Sequence, residues 1–211
     1  VLAPFDETKS LHAYSMLARS AITRGEQDKA ARYLELCNSM MDRSDYHIDW
    51  RANTDLANLF YWQLKGDLES IQSWLEKAEE PEAACNHFQQ LQWRNIARAC
   101  LNVGEMERSQ LILDMLLESC DKHNLITDKN RNLVVQAVLS KRMNEREKAL
   151  AQLKEALELT NSTGMVGIFL CDGADICDLL QELVDGKALS ELELHRARQL
   201  LREMTSKERN R

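Results

Sequence analysis

Apolar residues recur at helical spacing along almost the whole chain of 211 residues. No stretch alternates apolar and polar residues for the length of a strand, and β-branched residues are sparse. The seven glycines fall between the helical patterns rather than within them. The pattern therefore predicts an all-α protein made of consecutive helices.

One local motif occurs four times. Gly25, Gly66 and Gly104 are each followed by small or apolar residues at offsets of 5, 9 and 12 positions, and Asn144 takes the place of the glycine in the fourth copy. Asn is the residue that best replaces Gly in a left-handed turn. Successive turn residues are 41, 38 and 40 positions apart. This regularity indicates a repeated helical hairpin.

The residues before each turn extend the motif. Trp93, Ile96 and Ala97 precede Gly104 in a layout that resembles the tetratricopeptide repeat, although the usual period of that repeat is about 34 residues. The resemblance implies a tetratricopeptide-like superhelix of about five antiparallel helix hairpins, within a single domain. The expected boundaries are 10–44, 50–80, 86–121, 130–161 and 165–204 for the repeats, 1–204 for the domain, and 205–211 for a tail or linker.

Individual positions fit this repeat to different degrees. Ala18, Ala30 and Ala97 stand where the two helices of a hairpin approach closely, and a larger side chain there would separate the helices. The second copy fits least well, because Asp55 and Asn58 occupy positions at which the pattern calls for apolar residues.

A capping box at Ser190 and Glu193 predicts the start of the last helix.

Charge and composition narrow the classes of partner. There are 34 acidic and 27 basic residues, and a net charge of −7 disfavours direct binding to nucleic acid. The apolar runs are too short for a membrane span of about 20 residues. Six cysteines without a C-x-x-C pair are typical of a reduced, cytoplasmic protein. The first residues contain neither an initiator Met nor a signal peptide, so we expect a fragment of a longer protein.

Catalytic and metal-binding motifs do not emerge from the sequence. Gly186-Lys187 is not a Walker loop, because Gln181 stands where that loop needs a glycine. Cys85-x-His87 is not followed by two further metal ligands, and Asp172, Asp175 and Asp178 are expected to form one exposed helix face. We therefore expect no enzymatic activity, no metal and no cofactor of this fragment itself.

A binding surface is the remaining candidate, because stacked hairpins present a concave face formed by the first helix of each pair. Phe60, Arg94 and Arg98 are expected on that face, and their mixture of ring and cations suits a polar neutral or anionic ligand. Trp62 and Trp93 have two interpretations: platforms for a sugar ring, or hairpin core.

Two polar triplets stand at the starts of adjacent hairpins. Asn86-His87-Phe88 precedes the third repeat and Asn130-Arg131-Asn132 precedes the fourth. They are candidates for ligand contacts, and the alternative interpretation is helix capping and turn formation.

A more specific resemblance comes from three blocks. The segments Asn86 to Ala99, Asn130 to Leu133 and Leu192 to Glu203 resemble the sensor domain of the MalT-like regulators. That resemblance implies a large cytoplasmic activator with an ATP-dependent oligomerisation module, a helical-repeat sensor and a LuxR-type helix-turn-helix. In such proteins maltotriose binds the sensor and, with ATP, drives self-association and activation of maltose and maltodextrin genes.

For this chain the resemblance implies the latter part of the sensor, without the ATP/ADP-binding and DNA-binding modules. Its expected partners are maltotriose, further copies of the regulator and inhibitory proteins, with DNA contacted only through a separate C-terminal domain. The rival interpretation is a tetratricopeptide-type module that binds proteins and no small ligand. Candidate inducer contacts are Phe60, Trp62, Asn86, His87, Trp93, Arg94, Arg98, Asn130 and Arg131.

Overall fold

The computed structural model describes residues 7–43, 46–170, 172–187 and 189–208. Within these ranges all regular secondary structure is helical, which confirms the predicted all-α class. The helices are α1 (Glu7–Thr23), α2 (Gln27–Met41), α3 (Ile48–Lys65), α4 (Leu68–Leu75), α5 (His87–Val103), α6 (Met106–His123), α7 (Ile126–Arg142), α8 (Arg146–Thr163), α9 (Gly173–Asp185) and α10 (Glu191–Glu208). A short 3-10 helix at Gly167–Leu170 precedes α9. Among the helices of these ranges, none is long and apolar enough to cross a membrane.

The turns between paired helices have the backbone conformation that the repeated motif predicts. Gly25, Gly66, Gly104 and Asn144 all have positive φ, with values of 74°, 68°, 90° and 62°. This left-handed conformation is open to glycine and tolerated by asparagine, because a Cβ there crowds the following carbonyl. The repeated motif therefore predicts correctly where the chain turns between the two helices of a pair.

The chain divides into two compact units, Val1–Glu105 and Met106–Arg211. In the first unit, α1 packs against α2 and α3, and α3 packs against α5. Ala18, Leu34 and Ala57 form one buried cluster between these helices, as expected for small residues at a close approach. Ser15 and Thr54 join α1 to α3 through a buried side-chain hydrogen bond of 2.8 Å.

One helix of the first unit is much shorter than its counterparts. α4 has eight residues, whereas α2 has fifteen. Asp67 caps its start by accepting a hydrogen bond from the backbone N–H of Ser70 at 3.0 Å. After Leu75 the chain runs without regular helix as far as Asn86. The second helix of this hairpin is therefore shorter than the first, and a cleft lies beside the middle of α3.

In the second unit, α7 pairs extensively with α8, and α9 packs on both. Leu139, Leu153, Leu157 and Phe169 are fully buried in its core. The last helix begins at the predicted capping box, in which the Ser190 N–H donates to the Glu193 carboxylate at 2.9 Å.

The aspartates near α9 do not share one exposed face, so that expectation was wrong. Asp172 stands at the N-cap position of α9 and is buried. Asp175 and Asp178 form ion pairs with Lys141 of α7, at 3.1 and 2.8 Å. Their role in this unit is to join α9 to α7. In the part of the chain that the structure describes, no cluster of three acidic, His or Cys residues could hold a metal ion.

Candidate functional site

A cleft of about 560 Å³, lined by both polar and apolar side chains, lies in the first unit next to the short helix α4. We call it the α4 cleft. Residues of α3 form its floor, and α2, α4 and the segment leading to α5 form its walls. The lining residues are Asn38, Met41, Ile48, Arg51, Asp55, Asn58, Trp62, Glu69, Ser70, Ser73, Trp74, Lys77, Ala78, Glu79 and Gln92. The volume lies in the range of cavities that bind small organic ligands.

Asp55 is the most perturbed group in the cleft. Its side chain belongs to the middle of α3, and the residue is only 6% exposed. Burial raises the pKa of Asp55 to about 6, because loss of water disfavours the carboxylate. A hydrogen bond from the Trp74 indole and the nearby charge of Arg51 oppose that rise in pKa. At neutral pH the cleft floor therefore holds a carboxylate that is poorly hydrated and able to accept hydrogen bonds from a ligand.

Asn58 lies one helical turn after Asp55 on α3, and its amide pairs with that of Asn38 on α2. Asn58 Nδ2 donates to Asn38 Oδ1 at 3.0 Å, and Asn38 Nδ2 donates back to Asn58 Oδ1 at 3.4 Å. The pair joins α3 to α2. Each amide retains one further N–H and acceptor capacity, so both can also bond to a ligand in the cleft.

Two indole rings complete the cleft. Trp62 comes from α3 and Trp74 from α4, and both are half-buried. Aromatic rings in a cleft supply flat apolar faces, while indole N–H groups supply directed donors. Rings placed beside a carboxylate and amides suit a ligand that has both apolar faces and many hydroxyl groups.

The segment after α4 is held against the cleft by two contacts. The Arg51 guanidinium lies 3.8 Å from the Glu79 carboxylate. The side-chain amide of Gln92 donates to the backbone carbonyl of Glu79 at 3.3 Å. Helix α3, helix α5 and this segment are therefore joined at one edge of the cleft.

The structure brings together some of the residues that the sequence singles out. Arg98 lies over the Phe60 ring, with 4.9 Å from the guanidinium carbon to the ring centroid, which is a cation–π contact between α5 and α3. Phe60, Arg94 and Arg98 are 7%, 3% and 7% exposed. These three side chains are thus packed inside the protein rather than open to solvent.

Three further candidates lie along α5. Asn86 is the N-cap of this helix and accepts from the backbone N–H groups of Phe88 and Gln89, at 3.0 and 3.1 Å. His87 is exposed, with its ring 5.5 Å from that of Phe88. Trp93 is half-buried, and within the described residues its indole nitrogen is buried without a hydrogen-bond partner. Capping thus accounts for the position of Asn86.

Asn130 and Arg131 belong to the second unit, in α7. Asn130 is fully buried and donates to the Thr163 hydroxyl at 3.2 Å. Arg131 is half-buried and forms an ion pair of 3.1 Å with Asp128. Both side chains therefore have a role within the packing of their own unit. Of the nine candidates, Trp62 lines the α4 cleft.

Comparison with known proteins places these features in a family. The family described as the MalT-like TPR region matches residues 2–186. The chain belongs to this family. The resemblance found in the sequence and the tetratricopeptide-like class are both confirmed.

Individual relatives of this MalT-like region agree with the family match. The chain is 51% identical to the HTH-type transcriptional regulator MalT of Vibrio campbellii and 47% identical to that of Vibrio cholerae. It is 35% identical to the regulator of the same name from Yersinia enterocolitica. Each alignment includes the whole chain, and the chain spans 23% of the length of each relative.

Sequence reasoning missed most of the cleft in this MalT-like region. Asn38, Asp55, Asn58 and Trp74 were not among the candidate contacts. A signal existed, because Asp55 and Asn58 replace apolar residues of the repeat at positions three apart on one helix face. Such polar residues inside a hairpin indicate either an imperfect repeat or a site. Asn38 of α2 and Trp74 of α4 had no comparable signal, since their place in the cleft depends on how these helices pack against α3.

Proposed function

We propose that this chain is part of the inducer sensor of a MalT-type transcriptional activator, and that it binds maltotriose in the α4 cleft. The observation that supports the site is the grouping of two indole rings, a buried carboxyl and an amide pair in one cavity of about 560 Å³. ATP binding, self-association and contact with DNA then belong to segments outside this chain, in a protein of the cytoplasm.

The chemistry of a glucan matches this grouping. Each pyranose ring has C–H faces that stack on indole rings, and its hydroxyl groups both donate and accept hydrogen bonds. Trp62 and Trp74 would contact the ring faces. Asp55 and Asn58 would bond to hydroxyl groups, and these bonds are strengthened where water is excluded.

Coupling to the rest of the regulator would follow from the position of the cleft. A ligand there touches α2, α3 and α4, together with Gln92 of α5. Binding therefore favours the arrangement of these helices in which all contacts form together, at the expense of other arrangements. In this proposal Phe60, Arg94 and Arg98 maintain the packing of α3 and α5 beneath the site.

A second candidate function is docking of another protein, such as an inhibitor of the regulator. The observation that favours it is the outer face of α6, where Leu111 is 72% exposed and Met115 is 38% exposed. The two functions are compatible, because α6 does not line the α4 cleft. Substitution of Leu111 by Glu should abolish inhibitor binding while leaving the affinity for maltotriose unchanged.

Isothermal titration of the purified chain with maltotriose, using maltose and an unrelated trisaccharide as controls, tests the main proposal. We expect saturable heat with maltotriose alone. Trp62→Ala and Trp74→Ala should each weaken binding by about tenfold or more, which corresponds to about 1.4 kcal/mol. Trp50→Ala is the matched control, because Trp50 is exposed and does not line the cleft. Absence of heat from a folded chain would contradict the proposal.

A further inference from the structure

A second cavity adjoins the α4 cleft, and we call it the α2 cavity. It lies between α2 and α3 and has a volume of about 560 Å³. Asn38, Asn58 and Trp62 line both cavities. These three side chains therefore form the boundary between two spaces, each of which has the size of a small-ligand site.

The boundary contains a side-chain contact between α2 and α3. The reciprocal hydrogen bonds of Asn38 and Asn58, at 3.4 and 3.0 Å, connect the two helices across the boundary. Asn58 is 6% exposed and Asn38 is half-buried, so the amide pair is partly shielded from solvent. Each amide donates one hydrogen bond to the other and accepts one from it, which stabilises the contact in the absence of ligand.

The α2 cavity has the same chemical character as the α4 cleft. The Tyr61 ring supplies an aromatic face, and Ser39, Glu35 and Asp42 supply hydroxyl and carboxylate groups. The Trp62 ring borders both spaces. A chain of sugar rings that continued beyond the amide pair would therefore meet further groups suited to binding it.

We infer that the Asn38–Asn58 pair limits the length of the linear oligosaccharide that the α4 cleft accepts. The inference rests on the proposed function. With the pair formed, a bound glucan ends against the amide wall. With the wall removed, additional sugar units extend into the α2 cavity beside Tyr61. Selection of short chains then arises from steric exclusion of longer ones, in addition to any hydrogen bonds that the two amides form with the short ligand.

The test compares the affinities of maltotriose and maltopentaose by isothermal titration. In Asn38→Ala the wall loses its amide, and the affinity for maltopentaose relative to maltotriose should rise by about tenfold or more over wild type. Asn38→Leu retains the bulk of the wall without the amide and should keep the wild-type ratio. Asn161→Ala, an exposed asparagine of α8, is the matched control for the substitution itself.

The outcomes separate this inference from the proposed function. Suppose that wild type binds maltotriose and that a folded Asn38→Ala chain keeps the wild-type ratio of maltopentaose to maltotriose affinity. The inferred role of the Asn38–Asn58 pair is then wrong, while the proposed sugar site is retained. If folded wild type binds neither sugar, both are wrong. Should Asn38→Ala fail to fold, Asn38→Ser, whose side chain is too short to reach Asn58, takes its place, and the same rise is required.

Discussion

The indole of Trp74 donates a hydrogen bond to the buried carboxyl of Asp55. This contact joins the short helix α4 to the middle of α3 inside the α4 cleft. It gives the carboxyl a directed donor where water is largely excluded, and it fixes the orientation of one of the two rings proposed to bind sugar. The position of α4 and the protonation of Asp55 are therefore linked.

Trp74→Phe tests this link, because phenylalanine retains a ring but has no N–H donor. Since the Trp74 hydrogen bond lowers the pKa of Asp55, its loss should raise that pKa further. The free energy of unfolding should fall by about 1 kcal/mol at neutral pH. Carbon NMR of the Asp55 carboxyl and urea unfolding measure the two effects. Trp50→Phe is the control. The same Asp55 pKa and the same free energy of unfolding in the two variants would refute the link.

The pH dependence of stability gives a second prediction. The pKa of Asp55 is about 6 in the folded chain, against an ordinary value of 3.8. The folded state therefore keeps this proton to higher pH than the unfolded state does. The protonated Asp55 contributes its full stabilisation below about pH 4. This stabilisation is lost as pH rises through the folded pKa, and the free energy of unfolding is lower by about 3 kcal/mol at pH 7.

Asp55→Asn cannot ionise and should not lose this stability. Its free energy of unfolding, relative to wild type, should increase between pH 4 and pH 7, and urea unfolding across this range measures the difference. Arg51, Glu69, Lys77 and Glu79 also line the cleft, but they remain in both proteins. Parallel stability curves for the two proteins would show that Asp55 titrates normally.

The turn at Gly104 gives a third prediction. Its φ is 90°, and a Cβ at this position would meet no atom within 4 Å. Gly104→Ala should therefore cost about 1 kcal/mol through backbone conformation alone, without a steric clash. Thermal unfolding measures the change. Gly167→Ala is the control, because that glycine also has open space but has no positive φ. Equal melting temperatures for the two variants would contradict the role assigned to Gly104.

The sequence predicts the helices and turns of this protein well because their causes are local. The positive φ of Gly25 and of Asn144 follows from a motif only thirteen residues long. The contact of Arg98 with Phe60 agrees with their equivalent places on successive hairpins. Their almost complete burial was not predictable in the same way, because burial depends on how closely the helices pack.

The cleft depends on tertiary structure, and the sequence indicates it only indirectly. The short helix α4 ends at Leu75, and its residues line the cleft together with residues of α2 and α3. Helix ends are poorly determined by local sequence. Asp55 and Asn58 appear in the sequence as departures from the repeat, and a departure of this kind does not by itself distinguish a weak repeat from a binding site.

The most direct test of the account is an NMR titration of the chain with maltotriose that follows the indole N–H signals of its four tryptophans. Binding in the α4 cleft should give saturable shifts of the Trp62 and Trp74 signals with a single dissociation constant, while the signal of the exposed Trp50 stays in place. Shifts confined to Trp93, or no shift at saturating maltotriose, would contradict a sugar site in the α4 cleft.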